Sequence, residues 1–315
     1  MREINILVMS GGGSKAISYI GVIKRMEELR VQNKIILNIN EVCGVSAGSI
    51  IGLLYLLGYT YEELEQEVVN KKLEHLKDIR ISNFFTNYGI DSGKNIMNWI
   101  ESLLVRKGYD KNITFKQLYD MINKKFVIMA TNLNKYKHTF FDYINTPDIS
   151  ILKAVRMSIS IPFYFTCERY NNDVHVDGAL IENYPIKMYK DNLKNVLGFK
   201  IINYGELKEH SVEYKINSID TFIYNVIYCF IVQKERQTTL NDEYKMHTIY
   251  IYLDDKNAVN FSMTGEDKKN MIKKGYEASC DYFNRYLVFG EHEHEHEDED
   301  EDEDEVEVEV EKEVA

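Results

Sequence analysis

Within its first 58 residues the chain twice runs an apolar stretch into a glycine-bounded turn and out again into a helix, and this repeated unit limits the possible folds more than any other feature. Residues 4–9 are nearly all apolar, as expected of a strand covered on both faces within a parallel sheet. They lead into Gly11, Gly12 and Gly13, after which residues 14–31 place Ile17, Ile20, Val22, Ile23, Met26 and Leu29 on or near one helical stripe. Residues 41–45 ("EVCGV") read as a second short buried strand, and residues 47–58 ("AGSIIGLLYLLG") as an apolar helix closed by Gly58. Helices are expected over 61–76 and 92–105, strands over 125–133 and 138–143, and a further helix from an Asp148 N-cap. Later strands fall in "VLGFKII" and "MHTIYIYL", and a long helix follows a Thr264 cap to about Leu287. Such alternation predicts an α/β fold with a mainly parallel central sheet flanked by helices.

The formal charge of −12 misleads about this body, because residues 291–315 hold 16 of the 50 acidic side chains and one of the 38 Lys and Arg. Residues 1–290 therefore carry 37 cations against 34 anions, or +3. The alternation of Glu with His, Asp or Val in 291–315 reads as a self-repelling, disordered acidic tail, with His292, His294 and His296 in it as solvated positions. A near-neutral body offers no basic groove, so no nucleic-acid partner is expected. Cys43, Cys167, Cys229 and Cys280 lie far apart in no metal-ligand spacing, which points to free thiols, a reduced compartment and no metal. The N-terminal apolar stretch is too short for a signal peptide, and "TFIYNVIYCFIV" (221–232) is too short to span a bilayer and reads as a core helix. The expected location is cytoplasmic, at most peripheral on membranes.

A glycine turn between a strand and a helix presents unpaired N–H groups at the positive end of a helix dipole, so it is suited to negative charge. One candidate charge is a dinucleotide pyrophosphate, since Gly11, Gly13 and Ala16 satisfy G-x-G-x-x-A. The acidic residue that should end the second strand is missing: Glu27, Glu28 and Glu41 are all poorly placed. A P-loop is not spelled, because Lys15 is followed by Ala16.

The second turn, "GVSAG" (44–48), is G-x-S-x-G between a strand and a helix, the setting of a nucleophile elbow. Gly44 and Gly48 have a steric reason there, because larger side chains on so sharp a turn would meet the flanking strand and helix. Ser46 would then project its hydroxyl at the start of the helix. A serine nucleophile needs a base, and the histidines outside the tail (His75, His138, His175, His210 and His247) carry no signature for that role. His175 lies two residues before Asp177, which puts both on one face of a strand.

Four segments stand in order: "GGGSKA" (11–16), "GVSAG" (44–48), "AVRMSISIPFYF" (154–165) and "DGALIENYP" (177–185). Together they resemble the patatin-like phospholipases, whose motifs run G-G-G-x-R/K-G, G-x-S-x-G, A-S-x-A-x-P-x-F and D-G-G/A-x-x-x-N-x-P. The resemblance spans nearly all of residues 4–290, including the ending "FSMTGEDKKNMIKKGYEAS", and takes in two of the three prolines, Pro162 and Pro185. It implies one patatin-like α/β/α domain over 1–290, followed by the tail 291–315. It also implies a lipid acyl hydrolase of phospholipase A or lysophospholipase type, acting on a phospholipid or other acyl-ester lipid, with transient membrane-surface contact and no cofactor.

In that resemblance Ser46 matches the nucleophile and Asp177 the base of a Ser-Asp dyad, so no histidine is required. An unperturbed aspartate, with a pKa near ~3.9, is a weak base, and burial beside the elbow would raise it. Backbone N–H groups of Gly12 and Gly13, with a neighbour among Gly11 and Ser14, would form the oxyanion hole. Lys15, Gly44, Gly48, Gly178 and Ala179 match supporting motif positions, Lys15 either bracing the loop, meeting a substrate phosphate or standing solvated at the helix start. Asn183 and Pro185 would shape the loop after Asp177. Ala16 departs from the family's glycine, and Ile159 and Ile161 replace smaller residues, which would reshape an acyl pocket. Phe84, Phe85, Trp99, Phe163, Tyr164 and Phe165 are candidates for an acyl-lining or membrane-facing surface, or for ordinary core. Two alternatives stay open: a lipid-binding protein on the same fold without turnover, and a dinucleotide-binding oxidoreductase.

Overall fold

The computed structural model describes residues 2–203, 242–253 and 261–288, with positions 222, 223, 225–227 and 229 between them. The first half runs β1 (Arg2–Met9), α1 (Tyr19–Val31), β2 (Ile35–Val45), α2 (Ala47–Leu56), α3 (Tyr61–Asn70), α4 (Ser82–Asn87), β3 (Gly89–Asp91), α5 (Lys94–Arg106) and α6 (Phe115–Ile122). Then come β4 (Lys125–Asn132), β5 (Lys137–Phe141), α7 (Ile151–Ser158), β6 (Phe163–Phe165), β7 (Glu168–Tyr170), β8 (Asp173–Asp177), β9 (Val196–Asn203), β10 (Thr248–Leu253) and α8 (Gly265–Val288).

From Ile4 onward β1 is buried, because it lies inside an eight-stranded sheet whose order is β10-β9-β1-β2-β4-β8-β7, with β5 also paired to β4. The first five strands of that order are parallel, and the crossovers from β1 to β2 and from β2 to β4 carry α1 and α2 to α6, respectively. Beyond β4 the sheet turns antiparallel through β5, β8 and β7, so it is mixed although mainly parallel. β3 and β6 form a separate two-stranded lobe. The helix after the glycine loop is tied to the far end of the chain. A Cβ on Gly21 of α1 would lie 1.9 Å from the Ile272 carbonyl oxygen of α8, and one on Gly275 would lie 1.9 Å from that of Ser18. The two helices therefore cross with backbones in contact, which any larger residue at either position forbids.

The edges of β4 decide where the ends of β2 and β8 meet. β5 occupies one edge from Ile128 to Asn132, so β2 and β8 share the other. β2 covers it from Lys125 to Met129, with Val45 opposite Met129, and β8 covers it from Ala130 to Asn132, with Asp177 opposite Ala130. β2 runs parallel to β4 and β8 antiparallel, so the two strands end head to head on adjacent rows. Residues 46 and 177, 131 positions apart, become neighbours.

Several expected boundaries move. The helix expected over 14–31 opens with a 3₁₀ turn, Gly13–Ser18, and becomes α-helical only at Tyr19. The strand expected at 41–45 begins at Ile35, six residues earlier, because it pairs with all but the middle of β1. The helix expected over 61–76 stops at Asn70 and is followed by a separate turn, Leu73–Leu76. Asp148 does not cap α7; Ser150 does, its hydroxyl accepting from the Lys153 N–H at 3.3 Å. Thr264 does precede α8, accepting from the Asp267 N–H at 3.2 Å. His247 closes a 3₁₀ turn, Asp242–His247, and β10 starts one residue later. The helix expected over 221–232 is described only at the six positions named above, all helical, and 291–315 lies outside the described residues. No helix among the described residues is long and apolar enough to cross a membrane.

Candidate active site

The turn after β2 forces Ser46 to φ +50°, a conformation that costs a non-glycine residue about 1–3 kcal/mol and persists only where its surroundings impose it. Here they do. The Ser46 N–H donates to Ser158 Oγ at 2.8 Å, and that hydroxyl donates in turn to the Met129 carbonyl at 2.6 Å. The Ser46 carbonyl accepts from both the N–H and the hydroxyl of Ser49, at 2.9 and 2.6 Å. The flanking glycines are steric necessities: a Cβ on Gly44 would stand 2.6 Å from the Ser49 backbone, and one on Gly48 2.5 Å from the carbonyl oxygens of Met9 and Ser10. Ser158→Ala leaves the buried Ser46 N–H and Met129 carbonyl without their shared partner, at a cost of about 1–3 kcal/mol. We expect its melting temperature to fall by ~2–4 °C per kcal/mol lost; an unchanged melting curve would show that the elbow is held otherwise.

Asp177 receives the Ser46 hydroxyl. Ser46 Oγ donates to Asp177 Oδ2 at 2.6 Å, while Oδ1 accepts from the Ala179 N–H at 2.9 Å. Both side chains are buried, Ser46 at 6% and Asp177 at 4% exposure. Burial pushes the Asp177 carboxyl up to about 7, against the pull of the hydrogen bonds from Ser46 and Ala179. Gly178 is the residue that lets the strand ends meet, since a Cβ there would come 2.6 Å from the Met129 carbonyl oxygen and 2.9 Å from Val45 Cγ1. The Asp177 N–H donates to the Ser160 carbonyl at 2.8 Å. Ser160 is fixed in turn by Arg156, whose Nη1 donates to its hydroxyl at 2.5 Å and whose Nη2 donates to the carbonyls of Ser92 and Thr166 at 2.9 and 2.7 Å. α7 and the turn after it thus brace both partners, Ser158 from one side and Ser160 from the other. The sequence placed both serines in a motif but gave them no role, because their bonds are tertiary.

Among the described residues no histidine bonds to either side chain. His175 shares β8 with Asp177 but meets Thr139 and the Asp173 carbonyl. His138 packs on Phe140, His75 is exposed in the turn before α4, and His210 is outside the described residues. No three His, Cys, Asp or Glu side chains among the described residues gather as a metal-holding group.

The glycine loop lies against this pair. Ser46 Cβ stands 3.1 Å from where a Gly11 Cβ would be. Gly11 itself is not a donor toward Ser46: its N–H is taken by the Asn183 carbonyl at 3.3 Å, and Asn183 Nδ2 returns a bond to the Gly11 carbonyl at 3.4 Å. Asn183 thereby clamps the loop at Gly11. Among the described residues no backbone carbonyl takes the N–H of Gly12 or Gly13, and Gly13 has φ +56°. Gly13 and Ser14 line the same cavity as Ser46. Lys15, at 2% exposure, is not a solvated helix-start lysine.

That cavity holds about 110 Å³ and is walled almost wholly by hydrocarbon, including Ile50, Leu76, Trp99, Ile159, Ile161 and Phe165. An apolar cavity beside a buried serine can take up apolar acyl carbons while the ester carbonyl stays at the hydroxyl. The aromatic candidates divide accordingly. Trp99 and Phe165 line the cavity and Tyr164 is core, whereas Phe85 and Phe163 are exposed.

The family model for patatin-like phospholipases matches residues 7–189, from within β1 through the loop that carries Asn183. "Uncharacterized protein R571" of Acanthamoeba polyphaga mimivirus is 26% identical over 281 residues, covering 88% of this chain and 92% of that protein. "Probable lipid hydrolase 463L" of Invertebrate iridescent virus 6 is 32% identical over 186 residues, covering 57% of this chain and 61% of that protein. Among solved structures, VipD from Legionella pneumophila superposes with a TM-score of 0.55 at 18% identity, over 90% of this chain and 67% of that one, a likeness of fold.

Proposed function

Because this chain belongs to the patatin-like phospholipase family, we propose that it hydrolyses the carboxylic ester of a phospholipid or related acyl lipid through Ser46 and Asp177. The observation that carries this reading is the 2.6 Å bond from the Ser46 hydroxyl to a buried carboxylate, at the mouth of an apolar cavity. As the ester carbonyl arrives, Ser46 Oγ attacks its carbon and the hydroxyl proton passes to Asp177 Oδ2. The resulting oxyanion is held by the N–H groups of Gly12 and Gly13, each such donor being worth ~2.7–4 kcal/mol in the transition state. Collapse breaks the ester C–O bond, and Asp177 returns the proton to the departing lysolipid or alcohol. Water then attacks the acyl-serine, gives its proton to Asp177, and the acid leaves as Ser46 recovers its hydrogen. A carboxylate with a pKa near that of the solution is suited to both directions of this transfer.

Residues 1–290 form one domain in this reading, with 291–315 as an acidic tail outside the catalytic unit. The near-neutral body is directed to the lipid–water interface and not to nucleic acid. The direct test is incubation with a phosphatidylcholine whose two acyl chains differ in mass, followed by mass spectrometry. Free fatty acid and lysophospholipid are expected, and release should persist in EDTA because no step above uses a metal. Failure to release acid from phospholipid, lysophospholipid and short-chain ester alike would remove the hydrolase reading.

A further inference from the structure

Four large apolar side chains exposed within ten residues, Ile79, Ile81, Phe85 and Tyr88, sit on the lobe built around β3 and β6. A fifth, Phe163, stands on β6 opposite Gly89. α4 buries none of its residues. Phe84 packs against the Ile90, Tyr164 and Phe165 cluster, and Phe85 beside it is 80% exposed, with Ile81 at 69%. These positions are tied to ordered backbone: the Arg80 N–H donates to the Ile90 carbonyl, the Thr166 N–H to that of Asp91, and the Cys167 N–H to that of Asn87. Asp91, fully buried, accepts from the N–H groups of Asp78 and Gly93, both at 2.8 Å. A fixed apolar face of this kind marks an interaction surface.

Two further features identify what it meets. The face is continuous with the cavity beside Ser46: Ile161 and Phe165, two residues to either side of Phe163, line that cavity, as do Leu73 and Leu76 just before the lobe. The stretch that carries it is also cationic. Residues 71–94 hold five Lys and Arg against three acids, a balance of +2; Arg80 is paired with Asp78 at 3.2 Å and Asp91 is buried, while Lys72 and Lys94 are exposed with Glu74 as the exposed acid between them. Apolar and aromatic side chains with a basic border match the headgroup boundary of an anionic bilayer.

We propose that this face docks on the surface of an anionic phospholipid bilayer, with Ile81, Phe85 and Phe163 entering the headgroup boundary and Lys72 and Lys94 meeting lipid phosphates. An acyl chain leaving the bilayer there would pass into the cavity without crossing water. The purpose rests on the hydrolase reading, but the docking does not, so the two can fail separately.

The experiment uses full-length Ser46→Ala protein, which cannot turn over lipid, in co-sedimentation with vesicles of phosphatidylcholine alone or mixed with phosphatidylserine. Binding is expected to favour the mixed vesicles and to weaken by roughly tenfold or more in the Ile81→Asp/Phe85→Asp double variant. Phe85→Trp should retain it. With Ser46 intact, the double variant should hydrolyse a soluble short-chain ester at the rate of the unmodified protein while losing activity on vesicles. Vesicle binding that survives the double substitution, or that never occurs, overturns the proposal. So does light scattering that shows a dimer which the double variant dissociates, since a second copy would then cover the face. If vesicles bind as expected but the unmodified protein cleaves no ester, the docking stands and the hydrolase reading falls.

Discussion

Ser46→Ala is expected to abolish labelling by a fluorescent fluorophosphonate and to lower ester turnover by roughly 10⁴–10⁶-fold. The size of the loss follows from the arrangement: among the described residues no other hydroxyl bonds to Asp177, and no covalent intermediate can form without Oγ. The substitution keeps the positive φ of the elbow and all bonds made by the Ser46 backbone, so the folded state should survive, with Asp177 losing one donor and becoming still harder to ionise. Labelling that persists in the alanine variant would move the nucleophile elsewhere. Absence of labelling in both proteins, with both folded, would instead favour a lipid-binding protein without turnover.

The second large effect belongs to Asp177→Asn. An amide cannot accept the serine proton, and losses near ~10⁴-fold in turnover are expected from removal of such a partner. In the unmodified protein the rate should fall about tenfold per pH unit below about 7, as the carboxylate takes up its own proton, and level off above it. Stability should run the other way. The folded carboxyl titrates at about 7 and the unfolded one near ~3.9, so the folded chain holds this proton more tightly. Its contribution to stability is fully present below the unfolded value and is lost as pH rises through about 7, a difference of roughly 4 kcal/mol. Asparagine fits the same space, accepting from the Ala179 N–H and donating to Ser46 Oγ, and carries no ionisation cost. At pH 8 the variant should therefore melt several degrees above the unmodified protein, and at pH 4 the two should melt together. Equal melting at pH 8, or activity that stays flat down to pH 5, would refute the raised pKa.

Much of this site was legible in the sequence because its chemistry is carried by local patterns. G-x-S-x-G spells the turn in five residues, although the atoms its glycines make room for belong to Ser49, Met9 and Ser10, and the glycines of the first loop announce a backbone that must approach something closely. Asp177 was found only through the order of four motifs, since a lone Asp-Gly pair reads as a turn. What sequence alone could not supply is tertiary. Nothing in residues 154–165 says that Ser158 holds the Ser46 amide while Ser160 holds that of Asp177. Gly11 and its neighbours look equivalent as donors until Asn183, 172 positions away, is seen to occupy one of them. The β3–β6 lobe was missed because strands of three residues carry no period to read. Element ends slipped where a tertiary partner extends or cuts them, as β1 extends β2 back to Ile35.

Ribosomes deliver Ser46 131 positions ahead of Asp177, the carboxylate that accepts its hydrogen bond. A chain made as far as β4 contains the residues of the elbow and the glycine loop but lacks Asp177, because β8, which pairs with the second half of that β4 edge, is still to come. Asn183, which clamps Gly11, emerges later, and α8, which crosses α1 at Gly21, later still. On the proposed mechanism, the last parts made are those that would confer reactivity on the first. Nascent, truncated or half-folded copies should on that mechanism be inert toward lipid, and the onset of fluorophosphonate labelling during synthesis would time the closure of the whole sheet.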